Sequence, residues 1–200
     1  MREGLASLIE REPGLEICGE TGSAKEAGEH FAEVLPDLAV VDLSLEEGSG
    51  LSLLQHLQAT HPDLPVLVVS MYDETLYARR TLDNGAAGYL MKNHANEKLV
   101  EAIRRVLEGN VYLSPEMTSA LVSSQVGDPS PASPIESLTD RELEILTLMG
   151  RGFERREMAE ALSLSPKTID THRSNLQKKL SLDGSASLRR YAAVWEASVD

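Results

Sequence analysis

The chain has 200 residues, of which 42% are hydrophobic, and a formal net charge of −13 at pH 7. This length suits one or two domains, each with its own hydrophobic core. No segment approaches the roughly 18 consecutive apolar residues of a membrane span, and the N-terminus shows no signal-peptide pattern, which predicts a cytoplasmic protein with no membrane partner. The single cysteine, Cys18, excludes an internal disulfide, and its apolar surroundings predict a buried structural thiol.

The first half of the chain alternates short β-like runs with amphipathic stretches. The runs that are typical of buried parallel strands are 15–19, 38–42, 66–70 and 87–91. The stretches with helical periodicity lie around them, at about 3–11, 24–34, 50–59, 74–83 and 95–107. This alternation predicts an α/β domain with a doubly wound parallel sheet, whose functional edge lies at the carboxyl ends of its strands.

Three polar residues stand at the ends of those strands: Asp42, Ser70 and Lys92. Because the carboxyl ends of parallel strands meet at one edge, the fold should bring these side chains together. A carboxylate in that place can act as a nucleophile on phosphorus and form an acyl phosphate. A hydroxyl can hydrogen-bond the phosphoryl oxygens, and an ammonium group can neutralise their charge.

A segment rich in proline and serine interrupts this pattern after residue 122. Its first twelve residues hold three prolines and four serines, a composition that does not support a packed core. We therefore predict a flexible linker at 123–136 between domains 1–122 and 137–200. The charge divides unevenly between the domains, because residues 1–122 hold 9 Lys and Arg against 20 Asp and Glu, whereas residues 137–200 hold ten of each.

The second domain contains two helical stretches with the spacing of a helix-turn-helix, at 156–162 and 165–180. Ser165 can cap the second helix, and Pro166 fits its first turn. The apolar residues of this helix share one face and should point into a core: Ile169, Leu176 and Leu180. A last helix at about 185–197 carries an apolar stripe that we also expect to face the core: Leu188, Ala192 and Trp195.

The opposite face of the 165–180 helix is polar, and we assign DNA contact to its residues. They are Lys167, Thr168, Asp170, Thr171, Ser174 and Lys178. Such a face can enter a DNA major groove, with its N-terminal residues at base edges and its flanking cations on phosphates. Asp170 either repels phosphate or accepts a hydrogen bond from a cytosine amino group.

The segment 138–182 resembles the output domain of LuxR/NarL-type transcription factors. The motifs that carry the resemblance are Leu-Thr-Asp-Arg-Glu-Leu-Glu-Ile-Leu (138–146), Arg-Glu-Met-Ala-Glu-Ala-Leu (156–162) and Ser-Pro-Lys-Thr-Ile-Asp-Thr-His-Arg-Ser-Asn-Leu (165–176). The resemblance implies a small all-α domain that binds inverted half-sites of an operator as a homodimer and acts with RNA polymerase. The segment departs from the family at Asp170, where many members carry lysine.

The first domain resembles the receiver domain of two-component response regulators, in the NarL/FixJ subfamily. The motifs that carry this resemblance are Pro-Asp-Leu-Ala-Val-Val-Asp-Leu-Ser-Leu (36–45), Leu-Pro-Val-Leu-Val-Val-Ser (64–70) and Gly-Ala-Ala-Gly-Tyr-Leu-Met-Lys (85–92). The resemblance implies a flavodoxin-like fold that a sensor histidine kinase phosphorylates in the presence of Mg²⁺.

The resemblance also implies a role for particular residues. Asp42 would be the phosphoacceptor, and Lys92 the cation that pairs with the phosphoryl group. Ser70 would be the switch hydroxyl, and Tyr89 the aromatic rotamer switch. Asp42 and the backbone carbonyl of Ser44 would be ligands of Mg²⁺.

One departure from that family lies at the start of the chain. Family receivers open with an apolar strand that ends in two acidic magnesium ligands, and their first helix often begins with Arg-Glu-Gly-Leu, which here is residues 2–5. We therefore expect a sheet without its first strand and a Mg²⁺ site without its other carboxylates. A misassigned start, a degenerate receiver and a trimmed chain would each give this sequence.

Together the motifs predict a response-regulator transcription factor rather than an enzyme. An enzyme of the haloacid dehalogenase type also uses a strand-end aspartate, but it needs a second acid two residues later, where this chain has Ser44. The alternative function is that of a phosphorylation-independent DNA-binding regulator, whose degenerate receiver serves as a dimerisation scaffold.

Overall fold

The computed structural model describes residues 2–43, 45, 49–126, 134–135, 137–162 and 164–199. The chain divides into two compact units, Met1–Ser123 and Ser124–Asp200, which we call the N-terminal unit and the C-terminal unit. Among the described helices, none combines the length and the apolar character that crossing a membrane would require.

Within the described residues, the N-terminal unit contains a parallel sheet of three strands. β1 (Ala39–Val41), β2 (Val66–Ser70) and β3 (Gly88–Met91) lie in the order β1-β2-β3. Val41 of β1 is level with Val68 of β2, and Ser70 at the end of β2 is level with Met91 of β3. All five residues of the central strand β2 are buried, as expected for an apolar run that is covered on both faces of a sheet.

Helices connect and cover these strands, and most of them agree with the predicted stretches. They are α1 (Arg2–Glu10), α2 (Ala24–Glu33), α3 (Gly50–Thr60), α4 (Glu74–Asp83), α5 (Ala95–Leu107) and α6 (Pro115–Val126). The apolar face of α5 packs on the sheet, where Leu99 and Ile103 join Leu67 and Leu90 in one core. α1 packs against the same core through partly buried residues such as Leu8.

Residues 15–19 do not form the predicted strand, and Cys18 is exposed rather than buried. In a doubly wound sheet of the predicted kind, this segment would pair with a strand that separates it from β1. The described residues contain no such strand, so this segment lacks the ladder hydrogen bonds that would hold it as a strand. The prediction of a buried thiol at Cys18 is wrong for the same reason.

Helix α6 was not predicted from the sequence. The Ser114 hydroxyl begins it by accepting a hydrogen bond from the Met117 N–H at 3.0 Å, and Pro115 occupies the first turn. The linker predicted at 123–136 therefore starts too early, because residues 123–126 are the last turn of this helix. The rest of that predicted linker, apart from residues 134–135, lies outside the described residues.

All the regular elements in the described part of the C-terminal unit are helices. They are α7 (Asp140–Gly150), α8 (Arg155–Ala161), α9 (Pro166–Lys179) and α10 (Gly184–Val199). α9 begins as predicted, because the Ser165 hydroxyl accepts from the Thr168 N–H at 3.1 Å and Pro166 follows it. α8 and α9 form the predicted helix-turn-helix.

The apolar stripes predicted for α9 and α10 face the core of this unit. The fully or almost fully buried residues of these stripes are Ile169, Leu176, Leu180, Leu188 and Ala192, whereas Trp195 is half-buried. They pack with buried residues of α7 and α8: Leu143, Ile145, Leu146 and Met158. Because this packing occupies one side of α9, its other side is left on the surface.

In the N-terminal unit, the first residue of α3 lies against the backbone that follows β1. A Cβ atom on Gly50 would overlap the carbonyl oxygen of Asp42 and would lie 2.5 Å from the Cα of Leu43. The Gly50 N–H also donates to the Leu43 carbonyl at 3.3 Å. Glycine at this position therefore lets α3 hold the end of β1, and with it Asp42, in place.

The substitution Gly50→Ala should push α3 away from Asp42 and destabilise the N-terminal unit by about 1–3 kcal/mol, the usual range for an overpacked site. The matched control is Gly4→Ala in α1, where a Cβ atom meets nothing within 4 Å and alanine should stabilise the helix by about 0.5–1 kcal/mol. Native-state hydrogen exchange of the β1–β2 amides gives the free energy of opening for both variants. Equal protection in the two variants would show that Gly50 is not required.

Candidate functional site

The carboxyl ends of the three strands bring together the residues that the sequence predicted there. Asp42 follows β1, Ser70 ends β2 and Lys92 follows β3. Since the strands are parallel and in register, these positions lie at the same edge of the sheet. We call the group formed by Asp42, Ser70, Tyr89 and Lys92 the sheet-edge site.

Lys92 and Asp42 form an ion pair in this site. The Nζ atom of Lys92 lies 2.5 Å from Oδ2 of Asp42. The Lys92 side chain is only 6% exposed, whereas 30% of the Asp42 side chain is exposed. The ammonium group is thus fixed inside the protein, and the carboxylate remains open to a reagent from solution. A charge-assisted hydrogen bond of this kind orients the carboxylate and offsets its charge.

Ser70 and Tyr89 are both fully buried, and both bond the backbone of Tyr72. The Tyr89 hydroxyl donates to the Tyr72 carbonyl at 2.7 Å, and the Tyr72 N–H donates to the Ser70 hydroxyl at 3.1 Å. Burial raises the pKa of Tyr89 far above its ordinary value, so the hydroxyl keeps its proton and remains a donor. The segment after β2 is therefore held by the two residues to which the resemblance gave switch roles.

A further contact ties this segment to α6, and sequence reasoning missed it. The buried carboxylate of Glu74, at the start of α4, accepts a hydrogen bond from the Ser114 N–H at 2.9 Å. Ser114 is the residue that caps α6. The partners are 40 residues apart and lie in different elements, so neither periodicity nor motif spacing gives a signal for the pair.

The residues described at the sheet edge do not fit a complete Mg²⁺ site. Mg²⁺ prefers six oxygen ligands and usually takes one or two carboxylates in addition to water and phosphate oxygens. Within the described residues, no group of three or more His, Cys, Asp or Glu side chains lies close enough together to hold a metal ion. Asp42 is already paired with Lys92, and Ser44, whose carbonyl was predicted as a ligand, lies outside the described residues.

In the C-terminal unit, the polar face of α9 is exposed. The residues on the surface are Lys167, Asp170, Thr171, Ser174 and Lys178. Thr168 differs from the other predicted contacts, because it is half-buried and its hydroxyl lies 2.8 Å from that of Ser165 within the helix cap. Two lysines and two hydroxyls therefore share one exposed face of the second helix of the helix-turn-helix, the helix that lies in the major groove in DNA-binding proteins with this motif.

Asp170, the one acidic residue on this face of α9, is paired with an arginine. Nη1 of Arg155, the first residue of α8, donates to Oδ2 of Asp170 at 2.9 Å. The sequence contains no signal for this pair, because its members are 15 residues apart on separate helices. Arg155 was not among the predicted DNA contacts.

The C-terminal end of α9 is anchored to α7 by Glu142 and Lys179. The Lys179 ammonium donates to Oε2 of Glu142 at 2.6 Å, and the same carboxylate oxygen accepts from the Thr139 N–H at 2.8 Å. Burial by itself raises the pKa of Glu142, but the hydrogen bonds from Lys179 and Thr139 outweigh it and hold the pKa below its ordinary value of 4.5. The ionised carboxylate therefore fixes the orientation of the polar face.

Comparison with known families assigns both units. The family described as "Response regulator receiver domain" matches residues 1–104, and the family described as "Bacterial regulatory proteins, luxR family" matches residues 136–192. The chain belongs to the response-regulator family. Response regulators with this pair of domains are DNA-binding transcription factors and not enzymes, so the resemblance found in the sequence is confirmed. Receiver domains of the family use Mg²⁺ for phosphorylation.

Similar proteins cover both units of this response regulator. The "Oxygen regulatory protein NreC" of Staphylococcus carnosus (strain TM300) is 34% identical over 198 residues, which are 96% of this chain and 91% of the relative. NreC of Staphylococcus haemolyticus (strain JCSC1435) is 33% identical, with the same coverage.

Two solved structures show the same fold. RcsB from Salmonella enterica serovar Typhimurium, bound to promoter rprA in the presence of phosphomimetic BeF3⁻, has a TM-score of 0.68 and is 22% identical over 96% of this chain and 92% of that one. A two-component response regulator of the LuxR family from Aurantimonas sp. SI85-9A1 has a TM-score of 0.58 and is 30% identical, covering 62% of this chain and 89% of that one.

Acid should weaken the C-terminal unit through Glu142. Because the folded state lowers the pKa of this carboxyl, its contribution to stability is complete above pH 4.5 and is lost as the pH falls through the lower pKa of the folded state. Glu142→Gln should reduce this dependence of stability on pH in acid, and it should lower the free energy of unfolding at neutral pH by about 1–3 kcal/mol. Urea unfolding followed by the fluorescence of Trp195, the chain's single tryptophan, measures both effects.

Glu160→Gln is the matched control, because Glu160 is an exposed carboxylate on α8 of the same unit. It should leave the stability at neutral pH within about 0.5 kcal/mol of wild type, as surface substitutions usually do. If Glu142→Gln loses as much stability in acid as wild type does, the contact with Lys179 does not stabilise the unit.

Proposed function

We propose that this response regulator is phosphorylated on Asp42 by a sensor histidine kinase and that phosphorylation controls operator binding by the C-terminal unit. The observation that carries the proposal is the ion pair of the sheet-edge site, in which an open carboxylate contacts a buried ammonium group. Asp42 is the nucleophile that this arrangement offers, because an aspartate can take a phosphoryl group as an acyl phosphate.

The neighbouring residues suit the product of that transfer. Lys92 is held beside the acceptor and would contact a phosphoryl oxygen, since the phosphoryl group adds negative charge at the place where the ammonium lies. The Ser70 hydroxyl, which accepts from the Tyr72 N–H, still has its own proton and would donate it to another phosphoryl oxygen. Because Tyr89 bonds the carbonyl of the same residue, a change at Ser70 would reach Tyr89.

The C-terminal unit supplies the DNA-binding surface of this proposal. The exposed Lys167 and Lys178 would contact phosphates, and Thr171 and Ser174 would lie near base edges in the major groove. We expect the active form to be a homodimer on inverted half-sites that acts with RNA polymerase in the cytoplasm. RcsB, which shares the fold, has been solved bound to promoter DNA, and this supports DNA binding by a chain of this fold.

A second function is favoured by one observation at the sheet-edge site. The described residues provide no group of carboxylates for a divalent cation, and Lys92 already offsets the charge of Asp42. A receiver with those properties would serve as a dimerisation scaffold for a regulator that binds DNA without phosphorylation.

Asp42→Asn should abolish phosphorylation by a histidine kinase or by acetyl phosphate, because an amide is not a nucleophile toward phosphorus. The chain itself should label weakly or not at all, because its described residues do not provide a complete Mg²⁺ site, and any label on Asp42 should be removed by hydroxylamine, which cleaves acyl phosphates. Asp63→Asn is the matched control, since Asp63 is an exposed aspartate that precedes β2, at the other end of the sheet. Label that persists on Asp42→Asn would contradict the assignment of the acceptor.

The same experiment separates the two functions. A chain extended at its N-terminus by an apolar strand that ends in two acidic residues would supply the carboxylates that the described residues do not provide. Labelling of either chain on Asp42 supports the phosphorylation switch. Operator binding by a chain that takes no label in either form supports the phosphorylation-independent regulator.

Lys167→Ala and Lys178→Ala should each weaken operator binding without unfolding the C-terminal unit, because both side chains are exposed and point away from its core. Loss of one cation–phosphate contact should lower the slope of log K against log salt concentration by about one unit. Lys98→Ala in α5 is the matched control, since it removes an exposed lysine from the N-terminal unit. If both α9 variants bind a mapped operator with wild-type affinity and salt slope, the DNA-binding face is assigned wrongly.

A further inference from the structure

The ion pair between Arg155 and Asp170 lies on the surface that we propose binds DNA, and it joins the first turn of α8 to the polar face of α9. We infer that Arg155 is a phosphate contact of the DNA complex and that Asp170 is the residue that positions it. This inference rests on the proposed DNA binding and deepens it, because it adds a contact that motif spacing does not reveal. It also gives Asp170 a role different from the two that the sequence left open, repulsion of phosphate and a hydrogen bond to cytosine.

Stability alone does not explain the pair. Both side chains are 48% exposed, and exposed ion pairs contribute little to the stability of a fold. The helices it connects are already held by buried residues of α8 and α9: Met158, Ala159, Ile169 and Leu176. The pair instead sets the direction of the Arg155 guanidinium. The hydrogen bond from Nη1 of Arg155 to Oδ2 of Asp170, at 2.9 Å, orients this long and flexible side chain.

The position of Arg155 suits a phosphate contact. In a helix-turn-helix the second helix enters the major groove while the first crosses the DNA backbone. Arg155 is the first residue of that first helix, α8, and its partner Asp170 lies on the groove-facing side of the second helix, α9. The guanidinium therefore lies at the boundary between the groove surface and the backbone surface. It carries five N–H donors, and the contact with Asp170 leaves others for a phosphate.

The surrounding charges direct Arg155 toward Asp170 rather than toward its neighbours in sequence. Glu157, two residues away, accepts a hydrogen bond from the Glu154 N–H at 2.7 Å and so stays at the start of α8. Arg156, the next residue, is also exposed, but the arginine that pairs with Asp170 is Arg155. Arg156 therefore provides a control with the same charge in the same turn of helix.

A double-mutant cycle on operator binding tests the inference. Asp170→Ala should weaken binding about threefold to tenfold, although it removes a negative charge, because Arg155 loses its orientation. Arg155→Ala should weaken binding at least as much and lower the salt slope by about one unit. In the Arg155→Ala background, Asp170→Ala should have almost no further effect or should strengthen binding. Unchanged thermal midpoints show that the effects do not come from unfolding.

The control cycle pairs Asp170→Ala with Arg156→Ala, and its two effects should be additive. Stronger binding by Asp170→Ala in the wild-type background would overturn the inference, because the carboxylate would then act only by repulsion. Additivity between Arg155 and Asp170 would overturn it as well. If Lys167→Ala and Lys178→Ala weaken binding while the cycle of Arg155 and Asp170 shows no coupling, only the inference is wrong. If the wild-type chain binds no DNA, both the proposed function and the inference are wrong.

Discussion

The parallel pairing of β1, β2 and β3 is the constraint on which the sheet-edge site depends. Its residues come from three strand ends that are up to 50 positions apart in sequence, and only a common strand direction and register brings them to one edge. Gly50 adds a steric condition, since its missing side chain lets α3 press on the backbone of Asp42. Both conditions bear on the contact between Asp42 and Lys92, whose strand ends they hold at the same edge.

From that edge a continuous set of contacts leads through the N-terminal unit. Ser70 and Tyr89 hold the backbone of Tyr72, and Glu74, two residues later, holds the cap of α6 at Ser114. These hydrogen bonds connect the segment after β2 with the residue that caps α6. The C-terminal unit has a separate contact, in which the exposed Lys179 of α9 donates to the buried carboxylate of Glu142 on α7.

Elements with strong local signals were predictable from the sequence. The bounds of β2, α4 and α5 agree with the predicted ranges, because an apolar run or an amphipathic period of that length has one favourable structure. The predicted strand at 15–19 failed because strand formation depends on a partner that lies elsewhere in the chain. The strand-end positions of Asp42, Ser70 and Lys92 predicted that they share one edge, and the motif resemblance added Tyr89. The pairs Arg155–Asp170 and Glu74–Ser114 were not predicted, because a contact between separate elements produces no periodic pattern in the sequence.

Zero-length cross-linking is the most direct test of the contact between Asp42 and Lys92 in the sheet-edge site. A carbodiimide joins an ammonium group and a carboxylate only where they touch, with the loss of one water, and peptide mass spectrometry identifies the two residues. The structure predicts a link between Lys92 and Asp42, whose atoms lie 2.5 Å apart. The exposed pair Lys98–Glu101, at 3.0 Å, serves as the internal positive control. Recovery of the control link together with an unlinked Asp42 would contradict the arrangement of the sheet-edge site.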